Sequence, residues 1–338
     1  MPAIVAHLLI ARETLTAVAA DPGLAPLHAK LAPYENYVLL GALGPDLPYY
    51  SFNSLREFLA KELPAEEFFN DLPEGVDQWS YQLHSKQPNI FPLTLFELIY
   101  RDDKIDSKTA WDDQLLEKLK AFTFGYLTHM AADQRIHPLV NHFAGPYYLH
   151  AENRKVHRNC EIHQDVFLYH DILPDRDFSH EDFLSWIQTG FGRDNEEGDS
   201  FSAYLQKAFV EVHGVTPPAD AIRDWVGGVE DFAAHLNNRK LFFRMPHAAV
   251  WEEFRAGKKE AERQQFFVGC NYRAEYFDKA AQIAVAYFRA ANDYCTQMEA
   301  RPATYEDIRK AFWKKILRAD LLSPLEDVYA LTVPPGAH

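Results

Sequence analysis

Two stretches of the chain carry side chains whose types and spacing suit metal chemistry. In FGYLTHMAADQRIHPLVNHF (residues 124–143), His129, Asp133 and His137 recur every four residues. At that interval on a helix, side chains stack one turn apart, so imidazole, carboxylate and imidazole project from one face. In HAENRKVHRNCEIHQDVFL (residues 150–168), His157, Glu161 and Asp165 repeat the interval. Imidazole and carboxylate donors suit zinc, and a carboxylate between two imidazoles can bridge two ions. Two such helices facing each other in a bundle would enclose metals. Counted at ~100° per residue, His163 and His170 fall near the opposite face and are left out of the site. Pro138, directly after His137, is expected to end the first helix.

A His-x3-Asp pair alone is as often a surface pair. Here the first stripe lies among Phe122, Phe124, Tyr126, Leu127 and Met130, which predicts a buried helix. A buried His/Asp/His stripe needs partners or a metal. Only three cysteines occur, Cys160, Cys270 and Cys295, without metal or redox spacing, so metal chemistry falls to the 15 histidines and the carboxylates. There is no Ser or Cys nucleophile motif and no di-iron Glu-x-x-His signature, and Gly227-Gly228 lacks a phosphate-loop context. His28, His142, His150, His180, His213, His235, His247 and His338 lack partner spacing and are read as ordinary surface or core residues. Tyr49 and Tyr50 are read as packing residues, with a pocket mouth as the alternative.

The elements that must position these residues are helices. Apolar residues recur with helical period throughout, and strand-like alternation is nearly absent, which predicts an all-α fold. Helices are expected near Ala3–Ala20, Glu35–Ala42, Ser54–Leu63, Val76–Gln87, Pro92–Arg101, Ala110–Ile136 and Glu152–Leu173. Others are expected near Glu181–Gln188, Phe201–Val212, Ala219–Asn237, Lys259–Met298 and Tyr305–Leu321. Gly44-Pro45, Gly192–Ser200 and Pro217-Pro218 mark loops. In the helix over Lys259–Met298, the stripe of Tyr272, Tyr276, Phe277, Ile283, Tyr287 and Phe288 reads as core. The expected division is a metal-binding helical domain over 1–192, a helical extension packed on it over 193–331, with one continuous domain over both as the alternative, and a flexible tail over 332–338.

With 338 residues, 47% hydrophobic, the chain can bury a large core. Its 49 acidic and 34 basic residues give a net charge of −15, which repels polyanions and argues against a general nucleic-acid binder. A phosphate substrate stays compatible, because bound divalent metals invert the local field. The opening MPAIVAHLLIARETL lacks a basic leader region and a cleavage site, and no apolar run approaches the ~18 residues of a membrane span. A cytoplasmic location is the expectation.

His129-x3-Asp133-x3-His137 followed by His157-x3-Glu161 resembles the zinc-dependent phospholipase C family. Single-strand-specific nucleases and the catalytic domain of GPI-specific phospholipase D belong to the same broad group. FGYLTHMAAD is similar to the phospholipase D-type domain and to bacterial phospholipase C-like proteins, and the latter's opening and Gly-Pro-Asp motifs resemble MPAIVAHLLIARETL and LGALGPDLPYY. The likeness runs over roughly residues 1–170 and implies a helical bundle of the phospholipase C/nuclease type.

By this resemblance, His7 is the N-terminal-helix histidine that binds one zinc, and Asp46 is the acidic residue beside the metal pair, as ligand or base. His84 stands for the histidine expected between that Asp and the long helix. His129 and Asp133 share an ion, with Asp133 bridging to a neighbour; His137, His157 and Glu161 surround another. Asp165 is expected behind the ligands, holding a ligand imidazole by its other N–H. Two or three zinc ions are implied. In secreted members the chain's free amino group is a further ligand, for which Met1, or Pro2 after methionine removal, is available here.

The expected reaction is hydrolysis of a phosphoester, in a small molecule or a lipid headgroup. A zinc-bound hydroxide, oriented by Asp46, would attack phosphorus in line. The alternatives are a single-strand nuclease, disfavoured by the acidic charge, another metal-dependent phosphatase, and a non-catalytic zinc-stabilised helical protein. A histidine-aspartate phosphohydrolase would need an adjacent His-Asp pair, and His170-Asp171 lies off the ligand face.

Overall fold

The computed structural model describes residues 4–51, 76–101, 113–145, 147, 150–238, 242, 245–257, 266, 271–300, 307–310 and 312. Among the described residues there are helices and no strand, so the fold is all-α. The helix expected over Ser54–Leu63 and the tail over 332–338 lie outside them.

Helix α1 (Ile4–Ala20) is followed by α2 (Ala25–Leu31) and α3 (Glu35–Gly41). A 3-10 turn over Gly44–Tyr50 comes next, then α4 (Val76–Ser85) and α5 (Ile90–Tyr100). The long α6 (Asp113–Ala144) leads to α7 (Ala151–Ile172) and the short α8 (Phe183–Ile187). The chain continues through α9 (Glu196–His213), α10 (Ala219–Asn237) and α11 (Pro246–Arg255). A π-helical turn over Arg273–Phe277 opens α12 (Asp278–Glu299).

Helix α6 is the axis of the bundle. Every residue from Leu119 to Asp133 is buried, so it needs neighbours on all sides, and it packs against α1, α3, α5, α7 and α12. Helix α1 is likewise buried all round from Ile4 to Ala11 and lies against α6, α7 and α12. The C-terminal helices therefore cover the same core as the N-terminal ones. In the stripe expected to be core, Tyr272, Phe277, Tyr287 and Phe288 are buried, and Tyr276 and Ile283 pack partly buried beside them.

Three local readings differ from expectation. Helix α6 passes through Pro138 instead of ending there. Proline removes one N–H donor, but Pro138 is exposed, while Val140, Asn141 and Ala144 beyond it are buried and hold the last turn in place. The polar run Gly192–Ser200 is half helix: Asn195 caps α9 by accepting from the Gly198 N–H at 2.9 Å. Glu196, Glu197 and Asp199 then sit in the first turn, where acidic side chains favour the helix dipole. Within the span expected as one helix over Lys259–Met298, residues 266 and 271–298 are described, and a π turn over Arg273–Phe277 interrupts the α-helical geometry before α12.

Candidate metal centre

Five elements deliver the nominated side chains. Helix α1 supplies His7, the 3-10 turn supplies Asp46, α4 supplies His84, α6 supplies His129, Asp133 and His137, and α7 supplies His157 and Glu161. All eight are buried. The donors fall into three groups whose ligand atoms lie within 4.8 Å of one another: His7, Asp46 and His129; His84, His129 and Asp133; and His137, His157 and Glu161.

Asp133 is the hub. Its Oδ1 lies 3.5 Å from His7 Nε2 and 3.4 Å from His137 Nε2. Its Oδ2 lies 3.2 Å from His129 Nε2 and 3.6 Å from His84 Nε2. Asp46 faces it from the other side, with Oδ1 3.2 Å from His84 Nε2 and Oδ2 3.9 Å from His7 Nε2. His7 and His129 stack face to face at 4.1 Å. In the third group, Glu161 Oε1 is 3.0 Å from His157 Nε2 and 3.5 Å from His137 Nε2.

The way these rings are held fits a metal. His129 Nδ1 lies 2.8 Å from the Ala42 carbonyl oxygen, and His84 Nδ1 lies 2.8 Å from that of Ser80. A carbonyl can only accept, so both rings carry a proton on Nδ1 and, when neutral, aim the Nε2 lone pair at the carboxylates. Lone pairs facing carboxylate oxygens need a cation between them. Both oxygens of Asp133, Asp46 Oδ2, His129 Nε2 and His7 Nδ1 are buried without an aligned hydrogen bond among the described residues. Unsatisfied groups of this kind cost ~1–3 kcal/mol each, and more when charged, so a cluster of them is stable only with an ion or protons to bind.

The electrostatics agree. Burial pushes the His7 pKa down to about 4, and the neighbouring His129 adds to that, because two stacked rings resist sharing positive charge. Burial opposes the charge on His129 too, but Asp133 and Asp46 outweigh it and raise its pKa to about 9. His137 is raised in the same way, chiefly by Asp133 against burial. Asp133 and Glu161 are held well below the usual carboxylate range because their imidazoles outweigh burial. His157 is lowered, chiefly by burial. The centre is built for positive charge, which protons or a metal can supply.

A partly open cleft, with about 240 Å³ of empty space counting the solvent at its mouth, reaches this cluster, lined by Asp46, Tyr49, His84, His137, Tyr147, His157 and Glu161. Tyr49 is both buried and cavity-lining, so the packing and pocket readings hold together. Tyr50 packs on Phe232 and does not line it. Tyr147 was not singled out by the sequence, having no spacing relation to the stripes; its ring lies 4.8 Å from that of His157.

Asp165 takes other partners than expected. Its Oδ1 accepts from the Ala6 N–H at 2.7 Å, and its Oδ2 pairs with His247 Nε2 at 2.9 Å. It thus braces the backbone beside His7 and a histidine read as ordinary, instead of a ligand ring. His163 and His170 belong to none of the three donor groups: His163 Nδ1 bonds the Asn159 carbonyl, and His170 sits against Phe254.

Fold and donors together describe an all-helical chain built around a buried imidazole–carboxylate centre. A family model described as zinc dependent phospholipase C matches residues 6–201, more than half of the chain, and the chain belongs to that family. No match was found among curated proteins or among solved structures.

Proposed function

We propose that the protein is a phospholipase C-like, zinc-dependent phosphoester hydrolase. The observation that carries this reading is Asp133, a buried carboxylate whose two oxygens lie within 3.2–3.6 Å of four imidazoles without an aligned hydrogen bond among the described residues. In this reading His7, Asp46, His84, His129 and Asp133 hold one or two ions and His137, His157 and Glu161 hold another, giving two or three in all. Bound zinc would supply positive charge that acidifies water and neutralises phosphoryl oxygens.

The chain's own residues divide the remaining work. Asp46 sits on the cleft wall, and its Oδ2 accepts no hydrogen bond among the described residues, so it can orient an attacking water and take its proton. The 3-10 turn holds it there, with its N–H bonded to the Leu43 carbonyl at 2.9 Å. Tyr49 and Tyr147 shape the mouth and limit the water admitted.

The test is a panel of chromogenic phosphodiesters and phosphomonoesters, with phospholipid vesicles, assayed on zinc-loaded protein. Turnover abolished by chelation and restored by zinc is expected on at least one class. Asp46→Asn should lower that turnover by roughly 10²–10⁴-fold, the range of a general base. Loss of one zinc with the activity would make Asp46 mainly a ligand; wild-type zinc with wild-type turnover would remove it from the reaction.

A further inference from the structure

The Asp165–His247 pair lies behind the centre, and both residues are buried. Asp165 stands one helical turn beyond Glu161 on α7. The Ala6 N–H it accepts belongs to the first turn of α1, where backbone donors have no acceptor within the helix. A carboxylate at that end also meets the favourable end of the helix dipole. Ala6 immediately precedes His7, so this bond ties the start of α1, and the His7 backbone, to the helix that carries His157 and Glu161.

The second oxygen of Asp165 is taken by His247, from α11, beyond the residues matched to the family. The His247 ring stacks on Phe178 at 5.9 Å and meets Phe232 at 6.2 Å. Its Nδ1 is buried with no hydrogen-bond partner among the described residues. A proton on Nδ1 would be stranded, so the ring carries it on Nε2 and donates to Asp165. With both oxygens engaged, the Asp165 carboxylate has one orientation.

We propose that His247 is a positioning residue of the metal centre: through Asp165 it fixes the first turn of α1, and with it His7, against the donors of α7. The inference rests on the reading of the cluster as a zinc centre. It makes the helices after residue 201 part of the site's support, since His7 depends on a bond that α11 completes. Outer partners of metal ligands are worth roughly 10–100-fold in metal affinity, and that is the effect expected here.

Two substitutions separate positioning from packing. His247→Phe keeps a ring against Phe178 and removes the donor; His247→Gln keeps an N–H donor and loses the ring. Each full-length protein is stripped of metal and titrated with zinc against a chromophoric chelator, with helicity followed by circular dichroism. Zinc affinity at one equivalent should fall roughly 10–100-fold in the Phe variant and stay within about threefold of wild type in the Gln variant. Wild-type affinity in the Phe variant, or loss in the Gln variant alone, overturns the proposal. If the Phe variant does not fold, the Gln variant decides: near-wild-type affinity supports the proposal, and a tenfold loss overturns it. A wild-type chain that binds no zinc would instead overturn the metal-centre reading beneath it.

Discussion

Gly41 and Gly125 meet backbone to backbone where α3 crosses α6. A Cβ on Gly41 would sit 2.0 Å from the Phe122 carbonyl oxygen, and one on Gly125 would sit 1.9 Å from that of Val38. The contact lies one turn before His129 on α6 and just ahead of the Asp46 turn. It lets the Ala42 carbonyl come within 2.8 Å of His129 Nδ1. The spacing of these two helices therefore sets both the tautomer of His129 and the approach of Asp46.

Gly125→Ala should separate the helices. The clash is with backbone, which cannot rotate away, so destabilisation of roughly 3 kcal/mol is expected, the upper part of the range for overpacked cores. Chemical denaturation measures it. A change under about 0.5 kcal/mol would show that the crossing relaxes freely, and the link between helix spacing and the site would fall.

Asp133→Asn keeps the shape of the hub and removes its charge. Zinc content should drop by at least one equivalent, with helicity retained. His163→Asn, at a ring bonded to the Asn159 carbonyl and in none of the donor groups, should leave zinc content unchanged. Equal losses in His163→Asn and His137→Asn, read by elemental analysis, would mean that the α6 and α7 donors are wrongly assigned.

Zinc binding should strengthen as pH rises from 6 to 9. In protein stripped of metal, burial disfavours a charged His129, but Asp133 and Asp46 raise its pKa to about 9, so below that pH the ring holds a proton zinc must displace. His7, with a pKa of about 4, is already neutral and releases none. Each released proton gives about tenfold in affinity per pH unit, and His137, which Asp133 also raises against burial, adds to the slope. Competition titrations at several pH values, corrected for the chelator, check this; an affinity flat between pH 6.5 and 8.5 would contradict it.

Acid should weaken the fold through His213. Burial, aided by Lys86, lowers its pKa from 6.5 to about 4 beside Phe91 and Phe209. The unfolded chain takes a proton there first, so this contribution is present above pH 6.5 and is lost as pH falls toward 4. His213→Leu should lose less thermal stability than wild type between pH 7 and pH 5. An identical loss in both proteins would leave His213 without a part in acid sensitivity.

The helical class and the two stripes were legible because each is a local pattern. His129, Asp133 and His137 share one helix, and four-residue spacing alone puts them on one face. His7, Asp46 and His84 are single residues on separate elements, with no spacing to announce them, and only the family resemblance drew them together. His247 had neither signal: it meets Asp165 from 82 residues away. The start of α9 was misread because an acidic helix N-terminus has the composition of a loop, and Pro138 because burial on either side holds a helix that proline alone would end.

The proposed function makes the buried cluster a multinuclear zinc centre. Elemental analysis of purified full-length protein, supplemented with zinc and kept free of chelators, tests it most directly. Two or three zinc equivalents per chain are predicted, and a reproducible value below one would contradict it.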